Sequence, residues 1–114
     1  MNENERALYW VKMLHTVAWA FFAGCIVALP ILGALRCFRT AAVLAAIVLA
    51  ECAILAANRF RCPLTDVAAR YTTDRAPNFD IFLPRLLAQY NKLIFGTLYV
   101  VGGGYVLWLR LAAR

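Results

Sequence analysis

Hydrophobic positions fall into three long runs, separated by one short and one long polar interval. The first run extends from Tyr9 to about Gly33 and is interrupted only by Lys12, His15 and Thr16. At about 1.5 Å per residue, a helix of that length crosses a hydrocarbon core of about 30 Å. The second run covers about 41–58 and the third about 90–109. The link from Leu35 to Thr40 is short, which makes the first two helices antiparallel. The pattern predicts one all-α domain over residues 1–114, a polytopic membrane helical bundle with three transmembrane helices.

The polar interval, about 59–89, is too charged to span, with Arg59, Arg61, Arg70, Arg75 and Arg85 against Asp66, Asp74 and Asp80. One or two short interfacial helices are expected in it. Thr65 or Asp66 is suited to cap a segment running through Tyr71. Asn78 or Asp80 precedes the apolar set Ile81, Phe82, Leu83, Leu86 and Leu87, which suits the headgroup region, with Pro84 bending or starting that piece.

Small residues suggest where helices approach. Ala41, Ala42, Ala45, Ala46 and Ala50 make the second helix the expected centre of the bundle, and Gly102, Gly103 and Gly104 give the third a flat packing face. The glycine run lacks the Lys-Ser/Thr ending and preceding strand of a phosphate loop. Tyr9 and Trp10 at one end, and Trp108, Arg110 and Arg114 at the other, are interfacial anchors. The first run is longer than the 7 to 15 apolar residues typical of a secretory leader, and Glu3 and Glu5 precede it, so an uncleaved anchor is expected.

Composition agrees with this picture. Hydrophobic residues make up 64% and charged residues 16%, against about 45–50% and about 25% in a soluble domain. The net charge of +6 comes from Lys and Arg scattered over loops and helix ends, which argues against a nucleic-acid-binding face. Their bias instead concerns topology. Eight lie on the side of the amino terminus and long loop, and four on the other, so the amino terminus and the Cys62 loop are expected in the cytoplasm, with the carboxyl terminus opposite.

Candidate chemistry lies at one depth. His15 is about 6 Å inside the first helix and Glu51 about 10 Å inside the second, both measured from the same side. A carboxylate within a bilayer is costly, about 2.5 to 3.5 kcal/mol on insertion scales, and therefore has a partner or a function. His15, Glu51, Asn58, Tyr90, Asn91 and Lys92 form the candidate polar cluster, in which Glu51 either pairs with His15 or Lys92 to fix helix register or serves a ligand. Cys62, beside Arg59 and Arg61, is a candidate thiol, although Pro63 marks a turn there. The four cysteines have the spacing of neither a disulfide framework nor a zinc site, and no metal or hydrolase constellation is present.

The run Arg61-Cys62-Pro63-Leu64-Thr65, following an acid-bearing membrane helix and preceding Asp66 and Arg70, resembles the Cys-Pro-Leu-Thr motif of a family of small bacterial inner-membrane proteins without an assigned activity. The resemblance covers about residues 10–75 and implies a prokaryotic inner-membrane helical bundle. The expected role is a non-catalytic accessory or assembly partner within the bilayer, joining another membrane protein or itself, with no cofactor and no nucleic acid. The alternative is a membrane-embedded binding or redox module for a quinone, lipid head group or haem.

Overall fold

The computed structural model describes residues 1–112, so Arg114 lies outside the described residues. Within them are four helices: α1 (Glu3–Ala34), α2 (Phe38–Ala57), α3 (Pro63–Ala68) and α4 (Arg85–Ala112). Three of these, α1, α2 and α4, are long and apolar enough to cross a membrane. The chain is all-helical and elongated, 59 Å along its major axis.

Each boundary has a local cause. Asn2 caps α1 by accepting the Glu5 amide at 2.7 Å, and Glu3 and Glu5 place negative charge on the exposed donors of the first turn. At its other end the Cys37 amide reaches back to the Leu32 carbonyl and the Arg36 amide to that of Gly33. This Schellman closure puts Arg36 at φ 60°, a position usually given to glycine. The end of α2 repeats the arrangement, with Phe60 bonded back to Leu55, Arg59 at φ 59° and Phe60 at φ 61°. Helix α3 starts at Pro63, whose missing N–H costs nothing at the first helical position.

The long interval holds one short helix. The segment expected over Ile81–Leu87 does not form as a separate piece, because α4 begins at Arg85, just after Pro84, and runs without interruption through the third crossing. Residues 78–83 form turns instead, held by a bond from the Asn78 side chain to the Leu83 carbonyl at 3.0 Å. The expected caps Thr65 and Asp66 fall inside α3, since the proline starts the helix earlier.

The central helix is α1, not α2. It packs along both other crossings and also touches α3, whereas α2 and α4 meet only weakly. The reason lies in where close approach is used. A Cβ on Gly33 would stand 2.8 Å from Val106 Cγ2, and one on Gly102 would stand 3.4 Å from the ring of Pro30, so α1 and α4 are drawn together at the end away from the long loop. The alanines of α2 contribute less: Ala41 is fully buried, while Ala42 and Ala50 are exposed. Of the three adjacent glycines only Gly102 is packed, and Gly103 and Gly104 meet nothing within 4 Å.

The seam yields a paired prediction. Gly33→Ala pushes against the stiff, branched Val106 and should cost about 1 to 3 kcal/mol, as overpacking does. Gly103→Ala has open space and gains up to about 1 kcal/mol of helix propensity. Thermal unfolding in one detergent should therefore show the first variant melting below the native chain and the second at or above it.

Candidate functional site

Between α1, α2 and α4, at the end carrying the long loop, the bundle contains a cavity of about 450 Å³. Its apolar end is lined by Ile26 and Val48, which belong to the buried core with Cys25, and by Phe22 and Phe95, which pack against that core. Tyr99 closes that end, its hydroxyl donating to the Ala45 carbonyl at 2.9 Å and tying α4 to α2. Towards the loop the lining becomes polar, with His15, Glu51, Arg61, Asn91 and Lys92. One continuous space thus passes from hydrocarbon-like walls to charged ones.

The loop covers the polar end because it is anchored to α1. Asp80 is buried, 6% exposed, and receives the Thr65 hydroxyl on its carboxylate. His15 Nδ1 lies 3.0 Å from the Asp80 carbonyl and 3.5 Å from its carboxylate. At the next position, the Thr16 hydroxyl donates to the Lys12 carbonyl at 2.7 Å and accepts the Phe82 amide at 2.9 Å. Phe82 also packs edge-on against Tyr9, with the Lys12 ammonium 4.8 Å from its ring centre. Pairing of these buried polar groups offsets the cost of removing them from water.

The sequence-derived cluster is brought together in part. His15, Glu51, Asn91 and Lys92 all line the cavity. Asn91 accepts the Trp19 indole N–H at 2.7 Å and so joins α1 to α4. Lys92 donates to the Phe60 carbonyl, pinning the end of α2. Asn58 is engaged locally, bonding the Arg61 carbonyl at 2.7 Å and the Asp66 carboxylate at 3.0 Å, and Tyr90 faces outward, 47% exposed. His15 and Glu51 both line the cavity but form no hydrogen bond or ion pair with each other, and the imidazole Nδ1 is directed at Asp80.

Glu51 itself has no hydrogen-bond or ion-pair partner among the described residues. The residue lines the cavity and is partly exposed. Asp80, Thr16, Thr65 and Trp19 were missed by the sequence reading as parts of the site. A signal was present for Asp80: an acid set between Phe79 and Ile81 is flanked as buried residues are. No cluster of three or more possible metal ligands occurs among the described residues.

Cys62 lines the same cavity, in surroundings that disfavour its thiolate. Burial pushes its pKa above the ordinary cysteine value, the amides of Leu64 and Thr65 oppose that shift, and the negative charges of Glu51 and Asp80 add to it. Of the two neighbouring arginines, Arg61 is drawn to Asp66, 3.6 Å away. No family model, curated protein or solved structure matches this chain.

Two outcomes follow. In detergent at pH 7.5 a maleimide should alkylate the exposed Cys37 faster than Cys62, with Glu51→Gln speeding Cys62 by removing one charge that disfavours its thiolate, as peptide mass spectrometry will report. Thr16→Val removes the acceptor of the Phe82 amide, a bond worth about 0.5 to 1.5 kcal/mol. Hydrogen exchange at Phe82 should then accelerate roughly three- to tenfold, while the amides of α4 keep their protection.

Proposed function

We propose that this chain is a membrane-embedded binding module for an amphipathic small molecule, in preference to a purely structural assembly partner. The observation that carries this reading is one continuous cavity lined by Phe22, Ile26 and Phe95 and by Glu51, which has no hydrogen-bond or ion-pair partner among the described residues. Its volume of about 450 Å³ falls in the range of small-molecule sites, about 300 to 1,000 Å³. The walls suit an alkyl or isoprenoid chain, and the polar end suits a head group.

Several features support ligand binding over a structural role for the acid. A register-fixing pair would consume Glu51, yet His15 turns to Asp80 and Lys92 to a main-chain carbonyl. No catalytic step is assigned to the site. The setting we propose is a bacterial inner membrane, with the amino terminus and the loop over the cavity in the cytoplasm. Eight of the twelve Lys and Arg lie at that end, and the Cys62-Pro63-Leu64-Thr65 run is similar to that of small bacterial membrane proteins.

The test is extraction. Chain purified in a mild neutral detergent should release a stoichiometric small molecule on denaturation, visible by native and organic-phase mass spectrometry. Ala23→Phe fills the cavity wall and should lose that molecule, whereas Val17→Phe, on the exposed face of the same helix, should retain it. A colourless sample with protein masses alone, unchanged between the two variants, would return the assembly reading to first place.

A further inference from the structure

The polar end of the cavity separates its charges by depth and by how each is engaged. Arg61, Arg75 and Lys92 line it from the connecting loop and the first turns of α4. Glu51 lies deeper, six residues before Ala57 at the end of α2, or about 9 Å along the helix. Two ion pairs occur among the described residues, Arg61 with Asp66 and His15 with Asp80. Arg75 and Lys92 therefore lack a carboxylate partner among them.

What those two cations do have is main-chain carbonyls. Arg75 donates to the carbonyls of Thr72 and Asp74, each at 2.7 Å, and to that of Ala69 at 3.3 Å, and its guanidinium lies 5.2 Å from the Phe79 ring centre. Lys92 donates to the Phe60 carbonyl. Such bonds orient a cation without neutralising it. The guanidinium has five N–H donors and the ammonium three, so both retain capacity for an anion. The carboxylates facing the same space are Asp80, already engaged by Thr65 and His15, and Glu51, engaged by nothing among the described residues. Cys52, Cys62 and Tyr99 are the other titratable groups that line it, and Tyr99 is committed to Ala45.

We propose that the occupant is a single-chain amphiphile with an anionic phosphate or carboxylate head, held by Arg75 and Lys92, and with a hydroxyl or amide donor just below the head that bonds to Glu51. This inference rests on the binding-module reading and specifies its ligand. Charge-assisted bonds to the head supply orientation as well as strength. A bare carboxylate beneath an anionic head would be repelled, so a donor between the two satisfies both. The volume of about 450 Å³ matches one chain better than the two chains of a bilayer phospholipid.

Trp19 lines the cavity and serves as the reporter. In Trp10→Phe/Trp108→Phe protein in discs of zwitterionic lipid, brominated single-chain probes that differ only in head group will quench it when bound. A 1-acyl glycerol phosphate should do so at roughly tenfold lower concentration than the matching monoacylglycerol or trimethylammonium chain, as charge-assisted bonds imply. That advantage should vanish in Arg75→Gln/Lys92→Gln and persist in Arg75→Lys, which keeps the charge. The same chain as a simple alkyl phosphate, lacking the hydroxyl, should bind more weakly than the glycerol phosphate, a difference that Glu51→Ala abolishes. Equal quenching by anionic and neutral probes would overturn this assignment while leaving the cavity a binding site. No probe quenching at all, at concentrations that saturate the discs, would overturn both.

Discussion

The close seam between α1 and α4 is the constraint on which the remaining structure depends. Gly33 admits Val106, and Gly102 rests on the ring of Pro30, so the two longest helices touch at the end remote from the loop. Within a bilayer there is little hydrophobic gain in bringing helices together, and close packing of small residues supplies the attraction instead. Once α4 is committed to α1 there, and α2 is bound to the same α1 by its short link, the second and fourth helices meet each other less closely than either meets α1. The cavity is lined by all three, with Tyr99 of α4 bonded to Ala45 of α2 at its apolar end.

The opposite end would be an open cleft without the loop. About fifteen residues of irregular backbone carry many donors and acceptors, which are tolerated near a membrane only where protein or water satisfies them. Here α1 provides two adjacent polar side chains, His15 and Thr16, that receive the loop at Asp80 and Phe82. The buried Asp80 binds α3 as well, through Thr65, so one carboxylate holds the first crossing, the short helix and the loop in a single arrangement. The Cys62-Pro63-Leu64-Thr65 run thus has a structural purpose in its last residue and its proline, and its thiol is incidental to both.

Much of this was legible in the chain, and the failures have physical causes. Three apolar runs separated by a short and a long polar interval fix the crossings, because a bilayer leaves few alternatives to a helix for an apolar segment of that length. The common depth of His15 and Glu51 was readable from helical rise alone, and both do line the cavity. Their pairing was not readable, since the partner that claims His15 comes from 65 positions away in a loop whose fold depends on tertiary contacts. The centrality of α1 was hidden for another reason. Counting small residues favours α2, but packing depends on which small residue faces a bulky neighbour, and a single Gly33 facing Val106 outweighs several alanines directed away from the bundle. Helix ends were similarly obscured, because arginines occupy the left-handed positions after α1 and α2 where glycine would have announced them.

The unpaired acid is the point at which fold and function meet. Its neighbours in the polar end of the bundle each maintain structure: Asn91 holds Trp19, Lys92 holds the end of α2, and Asp80 holds the loop. Glu51 maintains nothing, yet a carboxylate in a membrane helix is costly. On the proposed reading, that cost, left uncompensated by the protein's own side chains beside a partly open cavity, is offset by something that enters the cavity. The cavity's shape then restricts what can enter, since the same walls that expose Glu51 continue into Phe22 and Phe95. A small polar solute would satisfy the acid and leave the apolar end empty, and a plain hydrocarbon would do the reverse. On the proposed reading, a molecule with both characters fills the space and meets the carboxylate.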